Sequence, residues 1–136
     1  MELQYAMTPF IAWFVTGSTK FAINSFKAGK LAFDDIGYGN FPSNHSAIVS
    51  SVATMIAIKE GIDHPAFSVS LALVFIVTLD ASNLRRQVGK HAEILNRITN
   101  TPEGNNLRQA IGHTKIEIMG GIITGALTSF AIDMFM

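Results

Sequence analysis

The stretch from Ile116 to Met136 constrains this chain more than any other, because Glu117 and Asp133 are its only charged residues and both lie near its ends. As a helix it rises roughly 30 Å, the thickness of a bilayer's hydrocarbon core. Composition points the same way. Hydrophobic residues make up 49% of the chain, charged residues 15%, and the mean hydropathy is +0.33, whereas a soluble domain carries about 25% charged residues.

Three further apolar stretches are less pure. Tyr5 to Phe26 turns polar after Val15, Ala47 to Ile58 is short, and Ala66 to Leu79 runs straight into Asp80. By length alone the two short ones would also suit core helices of a soluble bundle. The first has neither a basic leader nor a small-residue cleavage site, so it reads as a retained helix and not a signal peptide. The expected architecture is all-α: a polytopic membrane bundle of about four transmembrane helices, forming one domain over residues 1–136. Helices are expected over about Ala6–Phe26, Ser43–Glu60 and Pro65–Thr99, and from near His113 onward. Gly61 should cap the second helix, Asp63 should cap the third, and loops should fall at Gly29–Pro42 and Asn100–Asn106. No internal repeat or low-complexity tract is present.

The absence of cysteine excludes disulfides, thiolate metal sites and a cysteine nucleophile. Ten basic and ten acidic residues cancel, which argues against a nucleic-acid partner. In a four-helix topology Lys27, Lys30, Lys90, Arg97 and Arg108 share one face, with Lys59 on the other. The positive-inside rule puts the richer face in the cytoplasm.

That face also carries three polar clusters. The first, Pro42-Ser43-Asn44-His45-Ser46, sits where a glycine-containing loop enters an apolar helix, a place that offers free backbone N–H groups to an anion. Its plainer reading is helix capping by Ser43 or Asn44, although His45 at a membrane helix edge calls for a cavity or a partner. The second is Asp80-Ala81-Ser82-Asn83-Leu84-Arg85-Arg86-Gln87. Paired arginines there clamp phosphate oxygens or snorkel to lipid headgroups, and Asp80, ending an apolar run, has Lys20 as its natural partner. In the third, Gly112-His113-Thr114-Lys115-Ile116-Glu117, His113 and Glu117 are four apart and share a helix face. The carboxylate can then fix the imidazole tautomer and leave the other ring nitrogen free to attack; the plainer reading is a solvated helix start.

Taken together, Lys20, Pro42-Ser43-Asn44-His45-Ser46-Ala47, Asp80-Ala81 with Arg85-Arg86-Gln87, and Gly112-His113 with Glu117 resemble, in order, the divergent branch of the type 2 phosphatidic acid phosphatase (PAP2) family. That family is related to acid phosphatases and vanadium haloperoxidases. The resemblance implies a phosphohistidine mechanism with no metal and no cofactor. His113 would be the nucleophile, Glu117 its orienting group and His45 the acid and base, with Asp80 in the catalytic set. Lys20, Ser43, Asn44, Arg85 and Arg86 would hold the phosphate. Three departures from the broader family stand out. Arg85 is followed at that family's spacing by His91, yet position 95 is Leu and not a carboxylate; Lys27 stands near the place of an arginine; and four helices replace the usual six. His91 is therefore a decoy beside His113, and the smaller bundle suggests a homo-oligomer.

The leading expectation is hydrolysis of a lipid phosphomonoester in the membrane. Phosphatidylglycerophosphate is the first choice, on the branch's connection with phosphatidylglycerol synthesis, and other phospholipid or isoprenyl phosphates stay open. Vanadate-dependent halide oxidation is a second enzyme reading. The non-enzyme alternative is a membrane scaffold or lipid-binding protein whose charges form a structural network. The cysteine-free background makes the orientation measurable: a single cysteine at position 30 should resist an impermeant thiol reagent applied from outside, and labelling there would reverse the assigned topology.

Overall fold

The computed structural model describes residues 2–31, 40–99, 107–109 and 111–136, and its regular elements are helices. They are α1 (Glu2–Ala28), α2 (Asn44–Lys59), α3 (Pro65–Leu79), α4 (Arg85–Thr99) and α5 (Lys115–Phe135), with a π-helical turn, Asp80–Leu84, joining α3 to α4. Pro65–Thr99 is thus one helical run of 35 residues, as its unbroken sequence led one to expect. The expected loop over Asn100–Asn106 and most of the one over Gly29–Pro42 fall outside the described residues.

Helix α2 is the hub, packed against α1, α3 and α5, while α1 also meets α5. Small residues explain why. Ser46, Ala47, Ser50, Ser51 and Ala53 are buried along α2, and α5 presents Gly121 and Gly125 to them. A Cβ at Gly121 would lie 2.3 Å from the Ser43 carbonyl oxygen, and one at Gly125 would lie 2.3 Å from that of Ala47. Such backbone proximity is how helices associate where lipid removes the hydrophobic drive between them. The Ser129 hydroxyl adds a bond to the Ser51 carbonyl oxygen at 2.7 Å. Gly121 and Gly125 therefore serve packing within the chain.

Helix α1 meets the bundle through a row four residues apart: Gln4, Thr8, Ala12, Thr16, Lys20 and Asn24, all buried. Thr8 and Thr16 satisfy their hydroxyls on the carbonyls of Gln4 and Ala12, which lets a polar row sit inside the bundle. The outer surfaces are the reverse. Ser70 is the one buried residue of α3, whose Val69, Phe75 and Ile76 stand open. Of the two most apolar spans, the one beginning at Pro65 is 11% buried and α5 is 33% buried. A core helix of a soluble protein would be mostly covered, and each exposed large aliphatic side chain would cost about 1.5–3 kcal/mol in water. Lipid is the solvent that suits this surface, and the chain is a helical membrane bundle.

The structure corrects several boundaries. Helix α1 begins at Glu2, not near Ala6, and carries Pro9 without ending there. The cap of α3 is His64, whose Nδ1 accepts from the Ala66 N–H at 3.2 Å, so Asp63 does not serve. Helix α5 starts at Lys115, two residues after His113. At the end of the bundle away from the polar clusters, Lys59 pairs with Asp133 and Tyr5 donates to Glu60.

The α2–α5 contact yields a stability prediction. Gly125→Val should lower the thermal midpoint in detergent, by an overpacking cost of about 1–3 kcal/mol or more. Gly17→Ala, where a Cβ meets nothing within 4 Å, should leave it level or raise it.

Candidate functional site

The start of α2, the π-turn and the approach to α5 converge at one end of the bundle. Two backbone bonds fasten them: the Ser43 N–H donates to the Glu117 carbonyl oxygen, and the His113 N–H donates to that of Ala81, each at 2.9 Å. Gly112 makes the second possible. Its φ is +99°, and a Cβ there would lie 2.8 Å from Arg86 Cγ and 3.2 Å from the Ala81 oxygen, so only glycine brings the chain in this close.

His113 is buried, and its Nδ1 lies 3.1 Å from Glu117 Oε2. The same carboxylate oxygen accepts from the Thr114 N–H at 2.9 Å, while Thr114 Oγ1 accepts from the Glu117 N–H at 3.3 Å. This is a capping box, and it fixes the carboxylate that in turn fixes the imidazole. Nε2 of His113 is left as the free nitrogen.

His45, in the first turn of α2, stands opposite. The two imidazole centroids are 6.3 Å apart with a 56° tilt. Arg85 Nη1 lies 3.4 Å from His45 Nε2, and because guanidinium only donates, His45 accepts there. Among the described residues, His45 Nδ1 and Asn44 Oδ1 are buried without a hydrogen-bond partner. Arg85 is held in turn by Asp80, Nε to Oδ2 at 2.8 Å. Those two residues are five apart, which in an α-helix would turn them about 140° from each other; the wider π-turn brings them onto one side.

Lys20 is 3% exposed and, among the described residues, makes no ion pair. Its charge reaches Glu117, His45 and His113. Lys20 and Arg85 thus bring two cations to the two imidazoles at one end of the bundle, an arrangement suited to an anion.

Most sequence candidates meet here: His45, His113, Glu117, Lys20, Arg85 and Asp80, with Asn44 at the helix start. Three expectations need correction. Asp80 pairs with Arg85 and not with Lys20. Ser43 is fully buried, and its hydroxyl caps α2, accepting from the Ser46 N–H at 3.4 Å and the Ser46 hydroxyl at 3.0 Å; its side chain is spent on structure. Arg86 does not join Arg85 but lines a neighbouring cavity. His91 lies exposed on α4. Thr114 was missed, although Thr-x-x-Glu ahead of an apolar run signals a capping box.

His113 lies ahead of α5, outside the membrane spans. Burial, then the charges of Lys20 and Arg85, pull its imidazole below the ordinary value of 6.5, against the opposing pull of Glu117. The neutral form is thereby favoured at pH 7, as a nitrogen nucleophile requires.

A family model described as "Divergent PAP2 family" matches residues 1–128. The curated "Uncharacterized membrane protein YuiD" of Bacillus subtilis (strain 168) is 28% identical over 114 residues, covering 71% of this chain and 72% of the relative. No solved structure matches.

Nitrogen-detected NMR on histidine-labelled protein should show His113 titrating below 6.5, and Glu117→Gln should move it lower still because an upward pull is removed. A His113 midpoint at or above 6.5 would contradict the site's electrostatics.

Proposed function

We propose, from the premise that the chain belongs to the divergent PAP2 family, that this membrane protein is a lipid phosphate phosphatase acting through a phosphohistidine. The observation that carries the reading is the pair of facing imidazoles 6.3 Å apart, flanked by Lys20 and Arg85. Two histidines on opposite sides of one phosphoryl group are the minimum set for forming and then hydrolysing a covalent intermediate.

A phosphomonoester entering between the rings draws Arg85 from His45 Nε2 onto its own oxygens, joined by Lys20 and the first free amides of α2. These groups stabilise the equatorial oxygens, where most of the transition-state charge lies. Nε2 of His113 attacks phosphorus as the ester P–O bond breaks, and protonated His45 gives its proton to the departing alkoxide. Glu117 steadies the imidazolium through Nδ1. Water then attacks the phosphohistidine and His45 takes its proton. The P–N bond breaks, releasing inorganic phosphate and restoring His113. Asp80 acts through Arg85, by aiming it.

With the polar end toward the cytoplasm, as the positive-inside distribution of Lys and Arg favours, the substrate is one made on the inner leaflet. Phosphatidylglycerophosphate is our first choice over other phospholipid or isoprenyl phosphates. The test is phosphate release from a panel of lipid phosphates in EDTA. Wild type and His91→Ala should turn over, while His45→Ala and His113→Ala should each lose about 10²–10⁴-fold. Equal activity of His113→Ala would reject the mechanism, and no release by wild type from any lipid would leave the scaffold reading standing.

A further inference from the structure

Arg85 and Arg86 are adjacent in sequence, yet successive helical residues point about 100° apart, and the two serve different spaces. Arg86 borders a cavity of about 410 Å³ with Lys90 and Glu93 of α4, Gln109, Asn40 and the Thr114–Glu117 turn. Neither His45, Arg85, Lys20 nor Ser43 borders it; His113 and Glu117 form the wall it shares with the site above.

Two cations, Arg86 and Lys90, and two carboxylates, Glu93 and Glu117, line this cavity, so its formal charges balance, but no described carboxylate pairs with either cation. Its two acids are engaged elsewhere: Glu93 Oε1 holds Arg97 at 2.6 Å, and Glu117 Oε2 takes the His113 ring and the Thr114 amide. Arg86 and Lys90 are four apart, hence on one face of α4. Among the described residues neither has an ion pair. Like charges at that spacing repel, and an anion between them reverses the sign of that interaction. Gln109 and Asn40 also line the cavity.

We propose that this cavity is a second anion site. It takes a phosphate-class group other than the one lying between His45 and His113, supplied either as inorganic phosphate or as the phosphodiester headgroup of an anionic lipid. The guanidinium of Arg86 suits two phosphate oxygens at once, and Lys90 acts as a point charge beside it. The volume leaves room for water or for a headgroup carried on the phosphate. The inference goes beyond hydrolysis and holds whether or not the chain turns over a substrate.

The test isolates this cavity by disabling the other site with Lys20→Met and His45→Ala. The thermal midpoint of that variant in neutral detergent is measured with inorganic phosphate, with micelles doped with an anionic phosphodiester lipid, and with a zwitterionic lipid or chloride at equal ionic strength. A rise of about 4–8 °C at saturation with either of the first two, lost on adding Arg86→Gln and Lys90→Gln, supports the site. Phosphate alone acting assigns the free anion, and lipid alone assigns the headgroup. No rise with either ligand, or a rise that survives the Arg86→Gln and Lys90→Gln pair, overturns it. Should the disabled variant show no cooperative melt, the comparison is made on the wild-type chain. There the Arg86→Gln and Lys90→Gln pair must remove part of the ligand-induced rise, and an unchanged rise overturns the proposal.

Discussion

The hydrogen bond from the His113 N–H to the Ala81 carbonyl oxygen ties together the two parts of the chain on which the rest of the site depends. Ala81 belongs to the π-turn that also aims Arg85, and His113 precedes the helix whose first turn holds Glu117. One main-chain contact therefore sets the distance between a guanidinium and an imidazole that are 28 positions apart in sequence. Its counterpart, Ser43 N–H to the Glu117 oxygen, places the start of α2 against the same turn. Main-chain bonds suit this task because they position groups without consuming any side chain needed for chemistry.

Close packing deeper in the bundle makes those bonds possible. Gly121 and Gly125 let α5 rest on the backbone of α2, and the fully buried Ser43 hydroxyl sits just above that contact. Larger residues there would move the α2 entrance away from Glu117 and widen the gap between the imidazoles. Structural glycines and site geometry are thus parts of one arrangement, although the glycines touch no polar group of the site.

Much of this was legible in the sequence. The apolar runs gave the helices because in lipid a backbone has few other ways to satisfy itself, and the His113–Glu117 pair followed from helix periodicity. Legibility ended where the candidate site departs from the regular helix. An α-helical spacing gives no reason to join Asp80 with Arg85, so Asp80 was matched with Lys20; the π-turn changes the partner. The same periodicity does separate Arg85 from Arg86, and reading the doublet as one clamp ignored it. Ser43 shows a different limit: a helix-start serine can serve the ligand or the helix, and the choice appears only once its burial and its bonds to Ser46 are seen.

The polar row along α1 bears on how the protein is made. Gln4, Lys20 and Asn24 are sheltered from lipid by the helices packed against α1, and a polar or charged side chain left facing acyl chains is costly. Helix α1 precedes α2 and α5 in the chain and so is synthesised before them. The polar row of α1 is thus made before the helices that cover it, and its burial is complete only when α5 has been synthesised and packed against it.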